Sequence, residues 1–191
     1  MIELNKEFLE NALPIIKKNI NDGTRHWLEG VIVADTGDNK REYFATDGHK
    51  MLYMSEKREN KEFETPVLIT FERLPTKIKN LRSVMFEKQT ENTGLLSDGI
   101  NKEFVRIEAC ERLDDLKKIL PDFDSGVKCS RFILFNPDVL DACKAYMGND
   151  FFRLPFTSDV DGQETSPVFW LGVDNTENVK CCVAMPVRCA R

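Results

Sequence analysis

Basic charge is what this 191-residue sequence is short of: 27 Lys and Arg stand against 32 Asp and Glu, for a net charge of −5. That balance excludes a protein that simply coats nucleic acid with basic surface, although basic residues gathered on one internal face would still be compatible with it. Long apolar runs are missing too. None approaches the roughly 20 residues of a membrane helix, so no membrane partner is expected. The opening Met1-Ile2-Glu3-Leu4-Asn5-Lys6-Glu7 has neither the basic start nor the apolar stretch of a secretory signal, and a cytoplasmic location is expected. Histidine is scarce, and the six cysteines, Cys110, Cys129, Cys143, Cys181, Cys182 and Cys189, include no C-x-x-C pair. The pattern suggests neither a zinc site nor a cofactor, and it reads as reduced, mostly buried thiols.

Helix and strand periodicities follow one another in a repeating order. Apolar residues at Phe8, Leu9, Ala12, Leu13, Ile16 and Ile20 have helical spacing over Asn5 to Ile20, with a kink or break expected at Pro14. A short strand, Met1 to Leu4, precedes this helix, and strands at Trp27–Ala34, Arg41–Ala45 and Lys50–Ser55 follow it. After a charged linker, Glu56 to Glu64, the order recurs: strand Thr65–Thr70, helix Phe71–Leu81, then strands Ser83–Lys88, Thr93–Ser97 and Phe104–Ala109. Leu113 to Leu120 is a short amphipathic segment stopped by Pro121. A third round begins with strand Arg131–Phe135. Its helix starts at Asn136, the expected N-cap, with Pro137 in the first helical position. Strands at Phe151–Thr157, Pro167–Val173 and Val179–Val187 complete it. The expected fold class is α+β: three β-α-β-β-β units, with antiparallel sheets covered by helices on one face.

Chemistry concentrates around Ala45-Thr46-Asp47-Gly48-His49-Lys50-Met51. Thr-Asp-Gly is a tight-turn signal, because Asp tolerates turn geometry and Gly supplies positive φ. Three other stretches stand out: Thr24-Arg25-His26-Trp27-Leu28-Glu29-Gly30, Leu113-Asp114-Asp115-Leu116-Lys117-Lys118-Ile119-Leu120-Pro121 and Val183-Ala184-Met185-Pro186-Val187-Arg188-Cys189. Together, in this order and around the repeats, they resemble four motifs of the bacterial sliding clamp, the beta subunit of DNA polymerase III. On that resemblance residues 1–125 correspond to the family's middle domain, and residues 126–191 to the second half of its last domain. The form is shortened and phage-like in its economy, lacking the first domain and half of the last.

The resemblance implies a non-enzymatic processivity factor that encircles duplex DNA as a homo-oligomer, without sequence specificity, and tethers polymerase and clamp loader through short peptide motifs. Loose phosphate attraction suffices for such a ring. The implied DNA-facing residues are Lys17, Lys18, Arg25, His26, Trp27, Arg73, Lys77, Lys79 and Arg82. The implied peptide pocket consists of Leu28, Thr46, Gly48, His49, Lys50, Met51, Lys118, Ile119, Val183, Met185, Pro186, Val187 and Arg188. Without the resemblance, the lysines read equally as a solvated helix face, and Met51, Val183 and Met185 as core residues of two strands. A rival reading keeps the pocket but not the ring: a clamp-derived adaptor or inhibitor that never encircles DNA. An enzyme reading, a hydrolase built on Asp47-Gly48-His49 with Asp114 and Asp115 holding a metal, is disfavoured. Adjacent carboxylates on a short helix point apart, and no nucleophile–base pattern or glycine-rich loop accompanies them.

Overall fold

The computed structural model describes residues 1–16, 25–37, 39–75, 83–120, 127–128, 135–152, 156–157, 167–173 and 178–185. The strands are β1 (Ile2–Asn5), β2 (Val31–Thr36), β3 (Lys40–Thr46), β4 (Lys50–Lys57), β5 (Val67–Thr70), β6 (Ser83–Lys88), β7 (Thr93–Ser97), β8 (Lys102–Ala109), β9 (Val127–Lys128), β10 (Phe156–Thr157), β11 (Val168–Val173) and β12 (Val179–Ala184). They form one antiparallel sheet in the order β1-β6-β7-β8-β5-β2-β3-β4-β12-β11-β10-β9. The helices are α1 (Lys6–Ile16), α2 (Leu113–Lys117) and α3 (Pro137–Met147).

The fold is α+β, and its strands other than β9 fall into the three expected rounds. The first two rounds exchange their leading strands: β1 joins β6, and β5 joins β2. In the third round β10 pairs with β9 at Val127–Lys128, which no expected strand covers, and residues 131–134 of the expected leading strand lie outside the described residues. Six residue pairs between β4 and β12, Val179↔Ser55 through Ala184↔Lys50, carry the sheet from the first round into the third.

The sheet is covered unequally. Helices α1 and α3 lie on one face. Phe8, Leu9, Ala12 and Ile15 of α1 and Val139, Cys143 and Tyr146 of α3 pack there with inward residues such as Tyr43, Leu52, Met54 and Cys182. The Phe8 and Tyr146 rings meet edge-on at 5.8 Å, and the Tyr146 hydroxyl donates to the Tyr53 carbonyl at 2.8 Å. Burying side chains of this size contributes about 1.5–3 kcal/mol each. The short α2, which belongs to none of the rounds, packs on the opposite face. There Leu113 and Leu116 meet Ile32, Phe44, Met51, Phe169 and Val183. Covered from both sides, β4 is buried from Lys50 through Glu56, which explains its unbroken apolar run Met51-Leu52-Tyr53-Met54.

The expected charged linker is fastened rather than free. Buried Arg41 donates to both Asp35 oxygens (2.6 and 3.0 Å), to Glu62 Oε2 (2.7 Å) and to the Glu3 carbonyl (2.8 Å). Asp35 also accepts from the Glu62 and Phe63 amides. Burial raises the Asp35 pKa, but the Arg41 guanidinium and those two amides outweigh it, and the carboxyl sits below its ordinary value. The Tyr43 hydroxyl accepts from the Asn5 amide at 3.2 Å and donates to Glu56 at 2.6 Å. Outermost β1 thus has its Glu3 carbonyl and Asn5 amide engaged by β3 side chains.

Several local expectations are corrected. Pro14 does not break α1, which continues to Ile16; the proline faces solvent, where water can satisfy the Glu10 carbonyl left without its helical donor. His26–Leu28 is a 3-10 turn rather than the start of a strand, and β2 begins only at Val31. The entry to β2 needs a glycine, since a Cβ on Gly30 would collide with the Ile69 carbonyl oxygen. Residues 71–75 are not helical, and the remainder of that expected helix lies outside the described residues. Gly148–Phe152 is a 3-10 turn, so Phe151 and Phe152 of the expected strand are not strand; Phe156–Thr157 is, and residues 153–155 lie outside the described set. The last strand ends at Ala184, and residues 131–134 of another expected strand are outside the described set. Cys143 and Cys182 form a disulfide between α3 and β12, contrary to the reading of reduced thiols; Cys110 and Cys181 are free and buried. The N-cap is as expected, with the Asn136 side chain accepting from the Asp138 amide at 3.0 Å.

Candidate functional site

The β3–β4 hairpin is held by its own side chains. The Thr46 hydroxyl donates to the Lys50 carbonyl at 2.8 Å and accepts from the Gly48 amide at 3.1 Å. Asp47 Oδ1 accepts from the His49 and Lys50 amides at 3.0 and 3.1 Å, while Oδ2 takes the Lys50 ammonium at 2.5 Å. Gly48 adopts φ 86°, the left-handed conformation that Asp-Gly turns require. Burial pushes the Asp47 carboxyl up in pKa. The Lys50 ammonium and the two amides prevail, and hold it below the ordinary 3.8. Asp47 is therefore a structural anion that orders the bend, with its charge already spent on Lys50.

Beyond the bend, strand register builds a floor. Thr46 pairs with Met51, Met51 with Val183, and Val183 with Phe169, one transverse row across β3, β4, β12 and β11. The end of β12 is tied to the hairpin by Met185 N donating to the His49 carbonyl at 3.0 Å. Because α2 is only five residues long, it covers part of this face and leaves a cavity of about 700 Å³ beside it. The cavity is lined by Leu28, Thr46, Gly48, His49, Lys50, Met51, Lys118, Ile119, Val183 and Met185, all expected together from the sequence. Ile119 and Met185 stand at its mouth, 45% and 40% exposed.

Other residues occupy places the sequence did not assign them. Arg25 and Trp27, expected to face DNA, also line the cavity, and the Arg112 guanidinium lies 5.3 Å from the centre of the Trp27 ring. His26 is exposed and sits edge-on to Trp27 at 5.5 Å. Arg73 lies away from this cleft and pairs with Glu103 at 2.8 Å. Lys17, Lys18, Lys77, Lys79, Arg82, Pro186, Val187 and Arg188 fall outside the described residues. Leu116, Leu120, Pro167 and Phe169 line the cavity without having been foreseen. Leu116 and Leu120 are four residues apart on the amphipathic segment, a spacing that could have flagged them. Phe169 needs the β11–β12 register, which no local pattern shows, and Pro167 carries no signal.

Among the described residues no three His, Cys, Asp or Glu side chains gather to hold a metal, and no described helix is long and apolar enough to cross a membrane. The cleft offers an apolar floor, adaptable methionines and a polar hairpin rim, the equipment of a binding site.

No protein-family model matches the chain, and no curated protein matches it either. Solved structures do. The sliding clamp (DNA polymerase III subunit beta) from Bartonella birtlesii, bound to griselimycin, superposes with a TM-score of 0.58 at 16% identity, over 98% of this chain and 66% of that one. The DNA polymerase sliding clamp from Pseudomonas aeruginosa with ligand gives 0.61 at 14% identity, again over 98% and 66%. The H. pylori beta clamp in complex with 5-chloroisatin gives 0.58 at 12% identity, over 96% and 63%. The chain thus spans less than two thirds of the clamps it matches, and over that span it has the fold of the bacterial DNA polymerase III beta sliding clamp.

Proposed function

We propose that this chain is a clamp-like processivity factor that captures short apolar peptide segments of replication partners, polymerase and clamp loader among them, in the cleft beside the β3–β4 hairpin. One observation carries the reading. Residues from four separated stretches of sequence (Leu28; Thr46 with Gly48–Met51; Lys118–Ile119; Val183 with Met185) line a single apolar cavity of about 700 Å³. A cavity of that size takes a few side chains of an extended partner, and a few buried anchors can supply most of the affinity of such a contact. The chain is not read as an enzyme: Asp47 and Lys50 are consumed in ordering the turn.

On the reading that the chain encircles duplex DNA as a homo-oligomer, the helix-bearing face would look inward. A second reading, an adaptor that holds partners without encircling DNA, is favoured by the charge of the described helices. On α1 and α3 the exposed acids Glu7, Glu10, Asp138 and Asp141 outnumber the exposed lysine Lys144, with Glu7 paired to Lys180 and Lys6 buried against Glu10 at 3.6 Å. A duplex would meet carboxylates there.

Two measurements test these readings. Fluorescence anisotropy with labelled apolar peptides tests the cleft: Ile119→Glu, at the exposed mouth of the cavity, should abolish binding while the melting temperature stays within a few degrees. Equal binding by the variant removes the cleft from the function. Native mass, with retention on closed circular against linear DNA, tests the ring. A multimer kept on circles and lost from linear ends supports encirclement, whereas a monomer indifferent to topology supports the adaptor.

A further inference from the structure

Charge is segregated at the cleft in a way the overall composition conceals. Acidic side chains outnumber basic ones in this chain, 32 to 27. Yet the described residues that line the cavity include Arg25, His49, Lys50 and Lys118 and not one Asp or Glu. Lys50 is committed to Asp47, in a pair whose side chains are only 4% and 7% exposed. Arg25 and His49 are not committed: both are exposed, and neither side chain has an ion pair or hydrogen bond among the described residues. The Arg25 guanidinium lies over the turn, 3.8 Å from where a Cβ on Gly48 would stand. On the other wall Lys118 is 75% exposed and touches Asp115 at 3.2 Å, an open surface pair that costs little to break.

We infer that the occupant of the cleft is an acidic apolar peptide: an extended segment whose apolar side chains enter the cavity and whose flanking carboxylates meet Arg25 on the hairpin side and Lys118 on the α2 side. The inference rests on the proposed peptide-capture reading and adds the partner's chemistry to it. Arg25 can take a carboxylate with two parallel N–H donors, which fixes orientation as well as charge, whereas Lys118 acts as a point charge on a mobile stem. A basic peptide would bring like charge to a rim that holds no carboxylate among its described lining residues, so the same residues also select against partners.

The test uses three fluorescein-labelled peptides of equal length with the same two-leucine centre, flanked by Asp and Glu, by Asn and Gln, or by Lys. Anisotropy titrations run at low and at high salt. The acidic peptide should bind roughly five- to tenfold more tightly than the neutral one at low salt, the excess expected of two exposed charge pairs. Salt should shrink that ratio, because exposed pairs are screened. The Lys-flanked peptide should bind weakest. Arg25→Ser with Lys118→Ser should bring the acidic-to-neutral ratio close to one; both side chains are exposed, and a melting curve checks the fold. Equal affinity of acidic and neutral peptides in the wild type overturns this inference and leaves the cleft reading standing. An acidic preference that survives the double substitution also overturns it. If no peptide binds at either salt, or if Ile119→Glu leaves binding intact, the peptide-capture reading itself falls, and this inference with it.

Discussion

Two faces of the same pair of strands have been put to opposite uses. On β4 and β12, Leu52, Met54, Cys182 and Ala184 point under α1 and α3, whereas Met51, Tyr53, Cys181 and Val183 point to the other side. The helix-bearing face is closed by two helices of 11 residues each. Among the described helices, the opposite face receives only the five residues of α2, and the cavity lies beside them. Neighbours one residue apart thus differ in purpose. One set fills a close-packed interior in which any lost methylene is felt; the other borders space that a partner can fill.

Substitutions along β4 can break that comparison. Leu52→Ala, on the closed face and fully buried, should cost about 2–5 kcal/mol in urea unfolding and leave peptide affinity per folded molecule unchanged. Met51→Ala, one residue away, should differ in pattern: a stability loss at the low end of about 2–5 kcal/mol, since the site borders the cavity, with at least a tenfold loss of peptide affinity by anisotropy. If the two variants cannot be told apart by these paired measurements, the two faces do not differ as described.

Acid offers a smaller and more general handle. Asp35, tied to Arg41, and Asp47, tied to Lys50, both titrate below their ordinary 3.8. A carboxyl depressed on folding contributes stability that is complete above its unfolded pKa and disappears as pH falls through the folded one. The urea midpoint should therefore decline as the pH drops below about 4, and Asp47→Asn should make the decline shallower. A midpoint that does not change from neutrality to about pH 3 would contradict the role given to these anions. The smallest effect concerns α3. Asn136→Ala removes its N-cap and should cost about 1 kcal/mol with no change in peptide affinity, because α3 belongs to the closed face.

Sequence periodicity located most elements, because burial on a sheet with one helical cover leaves a strong pattern. β6 and β7 have the expected ends, and Asn136-Pro137 marks the start of α3. The failures share a cause in tertiary contacts. Trp27 and Leu28 look like strand residues, but the chain enters β2 only past Gly30, where Ile69 crowds the backbone. The Cys143–Cys182 link joins residues 39 apart, with no spacing signal. At the cleft the hairpin could be read from Thr46-Asp47-Gly48, since its bonds are local. The contributions of Phe169 and Pro167, and the placement of Arg25 and Trp27 on the cavity wall, depend on which strands pair and where the 3-10 turn sits, and composition does not encode that.

The engagement of the Glu3 carbonyl by Arg41 and of the Asn5 amide by Tyr43 has a consequence for behaviour at high concentration. An open sheet margin is where stray chains add and fibrils seed, and natural proteins blunt such margins. Here side-chain stoppers plug that margin, so growth by strand recruitment is denied a template at β1.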